Sequence, residues 1–175
     1  MKTKLLSATA AVAASFAIAA PAFAQDTAGA EPYIGASVGH HDAGVGIPND
    51  DGLIYGAVAG VDFPVGDTFF VGAEGNYHLG DGAIDKEYGI AARAGVKVGG
   101  SKLYVKGGYQ EVDFDLGELL GAPVPAGIDD TDGDYIVGVG ADIGLGATSP
   151  VSLRLAADTI AFDSTRLTAG VLFKF

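Results

Sequence analysis

Nine charged residues share one side of the chain's alternating segments: Asp62, Glu74, Arg93, Lys97, Lys106, Asp142, Arg154, Asp158 and Lys174. Four are acids and five are bases, so their charges nearly cancel. Groups placed like this can pair with one another or line a wet passage. An ion pair removed from water stabilises a fold only when further hydrogen bonds satisfy both partners. Asn76, Gln110 and ordered water are candidates for that task. The pattern predicts an interior ion-pair network. Setting Phe69 opposite Val98 across segment 80–87 places Glu74 directly opposite Arg93, an expectation that a one-residue slip would destroy.

Other chemistry is thinner. Asp129-Asp130-Thr131-Asp132-Gly133-Asp134 resembles the start of a calcium loop, because hard cations want several oxygens around a sharp turn. The closing Glu of such a loop is missing, and Ala141 stands there in an alternating run. Solvated loop acid is the plain reading and weak divalent binding the alternative. Leu116, Leu119, Leu120, Val124 and Ile128 are apolar residues of the same connection, suited to packing on a rim or to contact. His40, His41 and His78 read as polar rim residues. Ser37 and His40 have opposite parity along one run, and His40 and His41 point apart, so neither couple forms a site. No zinc spacing, phosphate loop or nucleotide fingerprint is present; glycine-rich matches such as Gly138-Val-Gly-Ala-Asp-Ile-Gly precede no helical segment. No catalytic, cofactor or metal residue is expected.

The elements that must hold these residues are strands. Period-2 runs recur over 33–40, 53–63, 69–79, 88–98, 103–112, 135–143, 151–161 and 166–175. Most are about ten residues long, enough to cross a bilayer at a tilt. Short connections (Pro64–Thr68, Gly99–Lys102, Gly144–Pro150) alternate with longer ones (41–52, 80–87, 113–134), and Asp163–Thr165 reads as a tight hairpin. The face opposite the charges carries sets such as Tyr55, Ala57, Ala59, Val61, Phe63 and Leu167, Ala169, Val171, Phe173, Phe175, with no Asp, Glu, Lys or Arg. A basic residue at a lipid-facing midplane position costs about 2–4 kcal/mol, so a charge-free face is what lipid selects. Tyr55, Tyr77, Tyr88, Tyr109 and Tyr135 fall at one end of the runs, and Phe63, Phe69, Phe173 and Phe175 at the other. Such sorting predicts two interfacial girdles. A soluble sandwich or lipocalin-like barrel is the rival, with aromatics expected in mid-core.

An even count of eight permits closure with both ends on the periplasmic side. The fold class expected is all-β: an eight-stranded antiparallel transmembrane barrel with up-and-down order. Side chains can largely fill so narrow a barrel, giving a plugged interior. Gly56, Gly60, Gly72, Gly89, Gly95, Gly108, Gly138, Gly140 and Gly170 face that interior and leave room, which keeps a narrow gated pore in view.

The front end reads as export. Lys2 and Lys4 precede an Ala-rich apolar stretch, and Ala22-Phe23-Ala24 offers a cleavage site, so residues 1–24 are expected to leave as a signal peptide and 25–175 to form the barrel domain. Losing Lys2 and Lys4 takes the formal charge from −12 to −14, which argues against nucleic acid. There is no cysteine, so ladders and packing supply the stability.

Pro32-Tyr33-Ile34-Gly35-Ala36 opening the first run, and a last run ending Val171-Leu-Phe-Lys-Phe175, make the chain resemble the small OmpA/OmpX-type outer-membrane β-barrels, the opacity-like and "porin family" barrels of Gram-negative bacteria. The resemblance spans essentially 25–175. It implies an outer-membrane location among lipids and lipopolysaccharide, and a terminal strand read by the barrel-assembly machinery. No peptidoglycan-binding domain is expected after the barrel, unlike full-length OmpA. Family roles vary, and fold does not choose among them. The function expected is a non-enzymatic structural or surface-interaction role through acidic external loops, with an unknown surface ligand. A narrow pore is the first alternative, and a lipid-modifying barrel enzyme the second.

Overall fold

The computed structural model describes residues 29–44, 51–81, 84–114, 131–146 and 149–175. The expected signal segment 1–24, Asp129 and Asp130, and the apolar residues of 115–130 lie outside the described residues. Eight strands follow one another: β1 (Glu31–Asp42), β2 (Asp51–Val65), β3 (Phe69–Gly80), β4 (Ile84–Val98), β5 (Ser101–Phe114), β6 (Thr131–Gly144), β7 (Val151–Ile160) and β8 (Thr165–Lys174). Each pairs antiparallel with its sequence neighbours, and β1 pairs with β8 to close the barrel. Closure removes both free edges. The end near Glu31 and Phe175 is called here the terminal end, and the opposite one the loop end.

The strands outlast the apolar runs that announce them, mostly at the loop end. β2 begins at Asp51, β4 at Ile84 and β6 at Thr131. Asp51, Lys86, Glu87, Glu111, Asp113 and Asp132 interrupt the apolar alternation there, yet the backbone ladder runs through them. Antiparallel pairing needs no apolar face once a hairpin rises into water.

The register of β3 on β4 differs from the expected one by two residues. Phe69 faces Val96, Glu74 faces Ala91, and Arg93 faces Gly72. The loop-end turn is tighter than expected, so Leu79 already pairs with Lys86. An even shift leaves every side chain on its own face. Glu74 and Arg93 thus become diagonal neighbours and still meet.

Pairing follows a spiral. From Glu31 it passes through Asp62, Gly72, Arg93, Lys106, Gly138, Asp158 and Arg166, then regains β1 at His41, ten residues beyond its start. This stagger is the shear that accompanies strand tilt. Each residue on that path except the two glycines carries a charged or ionisable side chain. Gly66 (φ 65°) and Gly99 (φ 62°) make the terminal-end turns possible, since that backbone region strains other residues.

Candidate functional site

Alternation turns the even residues of β2, β3, β5, β6, β7 and β8 and the odd residues of β1 and β4 inward, and a register shift between Ile84 and Lys86 turns Ile84 inward as well. The resulting interior is polar and is arranged along the barrel axis in three groups.

At the terminal end, Lys102 Nζ reaches Glu31 (2.6 Å) and Asp62 (2.5 Å), and Lys97 Nζ reaches Glu31 (2.7 Å). Phe70 is buried here, with Lys102 Nζ 4.9 Å from its ring centre. Lys174 is half-buried at the same mouth.

In the middle, Arg93 joins three acids: Asp62 through Nε (3.2 Å), Glu74 through Nη1 (3.2 Å) and Asp142 through Nη2 (2.7 Å). Its guanidinium lies 3.9 Å from the Tyr104 ring centre. Tyr33 donates to Glu74 (2.6 Å) and accepts from Arg93 (3.0 Å). Arg154 grips Asp142 with two nitrogens (2.7 and 2.9 Å) and also donates to Glu74. Bidentate arginine is the geometry that best repays desolvation. Lys106 links this group to the next through Asp158 (3.2 Å).

Toward the loop end, Arg166 holds Asp158 (2.9 Å) and Glu87 (2.5 Å). Glu87 also lies 2.7 Å from His41 Nδ1 and 3.2 Å from His78 Nδ1, and Asn76 Nδ2 stands 3.3 Å from that same His78 nitrogen. Ser37 Oγ stands 2.8 Å from His78 Nε2. Ile54, Ile84, Val112, Ile136 and Ile160, all buried and all near loop-end strand termini, form an apolar cluster over this group.

The structure brings seven of the nine expected residues into one buried network and leaves Lys97 and Lys174 at its mouth. Alternation alone had not drawn in Glu31, Tyr33, Glu87, Lys102, Tyr104 or Arg166. Glu87 and Lys102 stood in segments that read as connections, while Arg166 shares its parity with Lys174. The histidines divide. His40 is exposed and pairs with Asp51 (2.9 Å), as a rim residue does. His41 and His78 are buried instead, because closure carries their strands above Glu87. The interior glycines do not leave open room. A Cβ at Gly60 would meet the Tyr33 hydroxyl, at Gly72 and Gly138 the carboxylates of Asp62 and Asp158, and at Gly140 the Tyr104 ring. Those side chains occupy the space that the glycines yield.

Ser37, His78 and Glu87 stand in nucleophile, base and orienter order. The adjoining cavity measures about 10 Å³, room for one water and none for an acyl substrate. Among the described residues, no three His, Cys, Asp or Glu are grouped to hold a metal ion.

Outward, Ile34, Val71, Ile90, Val105, Val139, Leu155 and Val171 are exposed, and no charged residue interrupts them between the aromatic ends. Tyr55, Tyr77, Tyr109 and Tyr135 are exposed at the loop end, with Tyr88 stacked on Tyr77 at 6.3 Å. Phe63, Phe69, Phe173 and Phe175 are exposed at the terminal end, the last two in edge contact at 5.4 Å. Beyond the tyrosines, Lys86 pairs with Asp113, whose hydrogen bond holds the ammonium above its ordinary range.

A closed barrel with a charged inside and an apolar outside inverts the arrangement of a soluble barrel. The family profile of the outer membrane protein β-barrel domain matches residues 10–175. The chain belongs to that family. It is an outer-membrane β-barrel of the small OmpA/OmpX type, and its family is that of the Gram-negative outer membrane. No curated protein sequence matches it. Several solved barrels share its fold. The attachment invasion locus protein Ail of Yersinia pestis is 12% identical, with 85% of this chain and 100% of that one covered and a TM-score of 0.55. The N-terminal barrel of Pseudomonas aeruginosa OprF is also 12% identical, covering 82% and 97% at 0.54. Neisserial surface protein A is 17% identical, covering 85% and 98% at 0.52. Ail has also been solved with the heparin analogue sucrose octasulfate.

Proposed function

We propose that this outer-membrane barrel is a closed, non-enzymatic anchor that presents its loop end outside the cell. The observation that carries the reading is the middle group. Arg93 and Arg154, with Glu74, Asp142 and Tyr33, span the interior from β1, β3, β4, β6 and β7. A solute would have to part these charge-assisted bonds, each worth more than an ordinary hydrogen bond in a low dielectric. The narrow-pore reading requires that parting. The enzyme reading has Ser37 as its nearest candidate, and the small cavity beside it opposes that reading.

Residues 1–24 serve as the export signal, and the terminal strand through Phe173 and Phe175 engages the barrel-assembly machinery. The apolar band between the aromatic ends then rests in lipid, with lipopolysaccharide around its outer half. The loops are the working surface. The acids of the loop end, Asp132 and Asp134 at the start of β6 among them, favour a surface ligand of basic character. A sulfated sugar of the kind seen on Ail has the opposite sign.

The test uses the absence of native cysteine. Asp163→Cys lies in a loop-end turn and Ser149→Cys in a terminal-end connection. A membrane-impermeant maleimide on intact cells should label the first and spare the second. Labelling of the second alone would invert the orientation, and recovery of the protein in the soluble periplasm would end the membrane reading. Lipid-A mass spectra should be the same with and without the protein; a shifted mass would restore the enzyme.

A further inference from the structure

We infer that the β7–β8 hairpin is a membrane-docking element, with Phe162 at its tip seated in the membrane–water interface, where it completes the loop-end aromatic girdle. That girdle has a gap. Tyr55, Tyr77, Tyr88, Tyr109 and Tyr135 occupy β2 to β6. At the same level the outward residues of β7, β8 and β1 are Thr159, Leu167 and His40, none of them aromatic. Among the described residues, Phe162 is the aromatic side chain that this arc offers at the loop end, and it is 75% exposed. Ala161 N donates to Tyr135 O at 3.0 Å, which ties the hairpin to the tyrosine level. A stagger of ten residues shared by eight strands lifts each pairing step by little more than one residue, so Phe162 stands just above that level.

The rim is low on this arc and tall on the other. β2 runs on from Tyr55 to Asp51, β4 from Tyr88 to Ile84, β5 from Tyr109 to Phe114 and β6 from Tyr135 to Thr131. Exposed Asp51, Asp85 and Asp132 stand on that taller wall, where only water suits them. β7 instead stops at Ile160 and β8 begins at Thr165. The outward residues beside the hairpin, Thr159, Thr165 and Leu167, carry no charge. The turn is also rigid. Asp163 N and Ser164 N both donate to Ile160 O (3.3 and 3.2 Å), Ser164 Oγ donates to the same oxygen (3.1 Å), and Thr159 Oγ1 donates to Ser164 O (2.8 Å). These bonds hold Phe162 in the left-handed region, which strains a side chain of its size. A ring fixed in this way loses little further freedom when it meets a surface. Aromatic rings gather at the boundary between acyl chains and headgroups, and the neighbouring tyrosines mark where that boundary runs. The contact offsets part of the strain in the turn. Asp163, the next residue, is exposed and keeps its carboxylate on the aqueous side. The wall from β2 to β6 is then the part that stands in the medium.

The inference rests on the proposed seating of the apolar band in lipid, and its test keeps the two apart. The chain has no tryptophan, so Phe162→Trp, Tyr135→Trp and Asp85→Trp each carry a single indole. Each variant is folded into phosphatidylcholine vesicles whose acyl chains are either plain or brominated close to the headgroup. The indoles of Phe162→Trp and Tyr135→Trp should emit to the blue of that in Asp85→Trp. Brominated lipid should quench the first two, and aqueous iodide the third. If Phe162→Trp emits as in water and is quenched by iodide but not by brominated lipid, while Tyr135→Trp is quenched by brominated lipid, the docking is overturned and Phe162 is a contact for a soluble partner. Iodide quenching of Tyr135→Trp as well would instead overturn the seating of the band. Should Phe162→Trp not fold, the wild-type chain decides. In nanodiscs, lipid spin-labelled on its upper acyl chain should broaden the Phe162 ring resonances as it broadens those of Phe173; sharp Phe162 signals beside broadened Phe173 signals overturn the docking.

Discussion

At the scale of single residues, Arg93 is the joint of the interior. It contacts three carboxylates and a tyrosine, so its removal leaves buried charge without a partner. Arg93→Met should cost roughly 3–5 kcal/mol in urea unfolding of the refolded protein, the range for a broken buried pair. A loss below about 1 kcal/mol, the size of an exposed pair, would mean that water already reaches the site. Arg93→Lys keeps the charge and loses the fork, and should still be clearly destabilised. The glycines offer a second test. Gly138→Ala would push a methyl into the Asp158 carboxylate, which Arg166 and Lys106 hold in place. It should cost about 1–3 kcal/mol as overpacking. Gly75 points outward and a Cβ there meets nothing closer than 3.7 Å, so Gly75→Ala should be neutral or gain up to about 1 kcal/mol. Parity in the sequence was enough to assign nine charged residues to one side. It was not enough to find Glu87, which precedes the run that begins at Tyr88, and His78, one residue from the end of run 69–79, reads as a rim residue although its parity is inward. Nor does parity show that Tyr33 fills the space beside Gly60, which depends on the β1–β2 register that sets the two residues opposite each other.

At the scale of elements, the hairpin between β7 and β8 carries stored strain. Ala161 (φ 55°) and Phe162 (φ 64°) both sit in the left-handed region, and Asp163 N donates to Ile160 O at 3.3 Å. This is the turn that prefers Asn-Gly. Replacing Ala161→Asn and Phe162→Gly together should raise stability by about 1–2 kcal/mol, read from the same urea curves. An unchanged midpoint would mean that exposed Phe162 makes compensating contacts, such as with the lipid interface. The brevity of this hairpin was visible from Asp163–Thr165, while its backbone strain was not, since neither Ala nor Phe announces a left-handed turn. The two-residue difference in the β3–β4 register has a similar origin. Face alternation repeats every two residues and cannot distinguish registers that differ by two. Turn geometry decides between them, and segment 80–87 lacks an Asn-Gly or Asp-Gly pair to declare it.

At the scale of the whole molecule, eight short apolar alternations, two aromatic ends and a charge-free face were sufficient to specify a closed barrel in lipid. The count supplies closure and the outward face supplies the solvent. The interior follows from the shear: a spiral advancing ten residues per circuit stacks Glu31 and His41 on one strand with the charges and glycines of the seven other strands between them. That stacking joins the three interior groups into one column with an apolar cluster at its loop end. The central claim is that this column closes the barrel. Planar-bilayer recording of the purified, folded protein at pH 7.5 tests it most directly. The account predicts no steady single-channel current at neutral pH, and an increase in current only when Arg93 or Arg154 is replaced by a small side chain; reproducible unitary steps from the wild-type protein would contradict it.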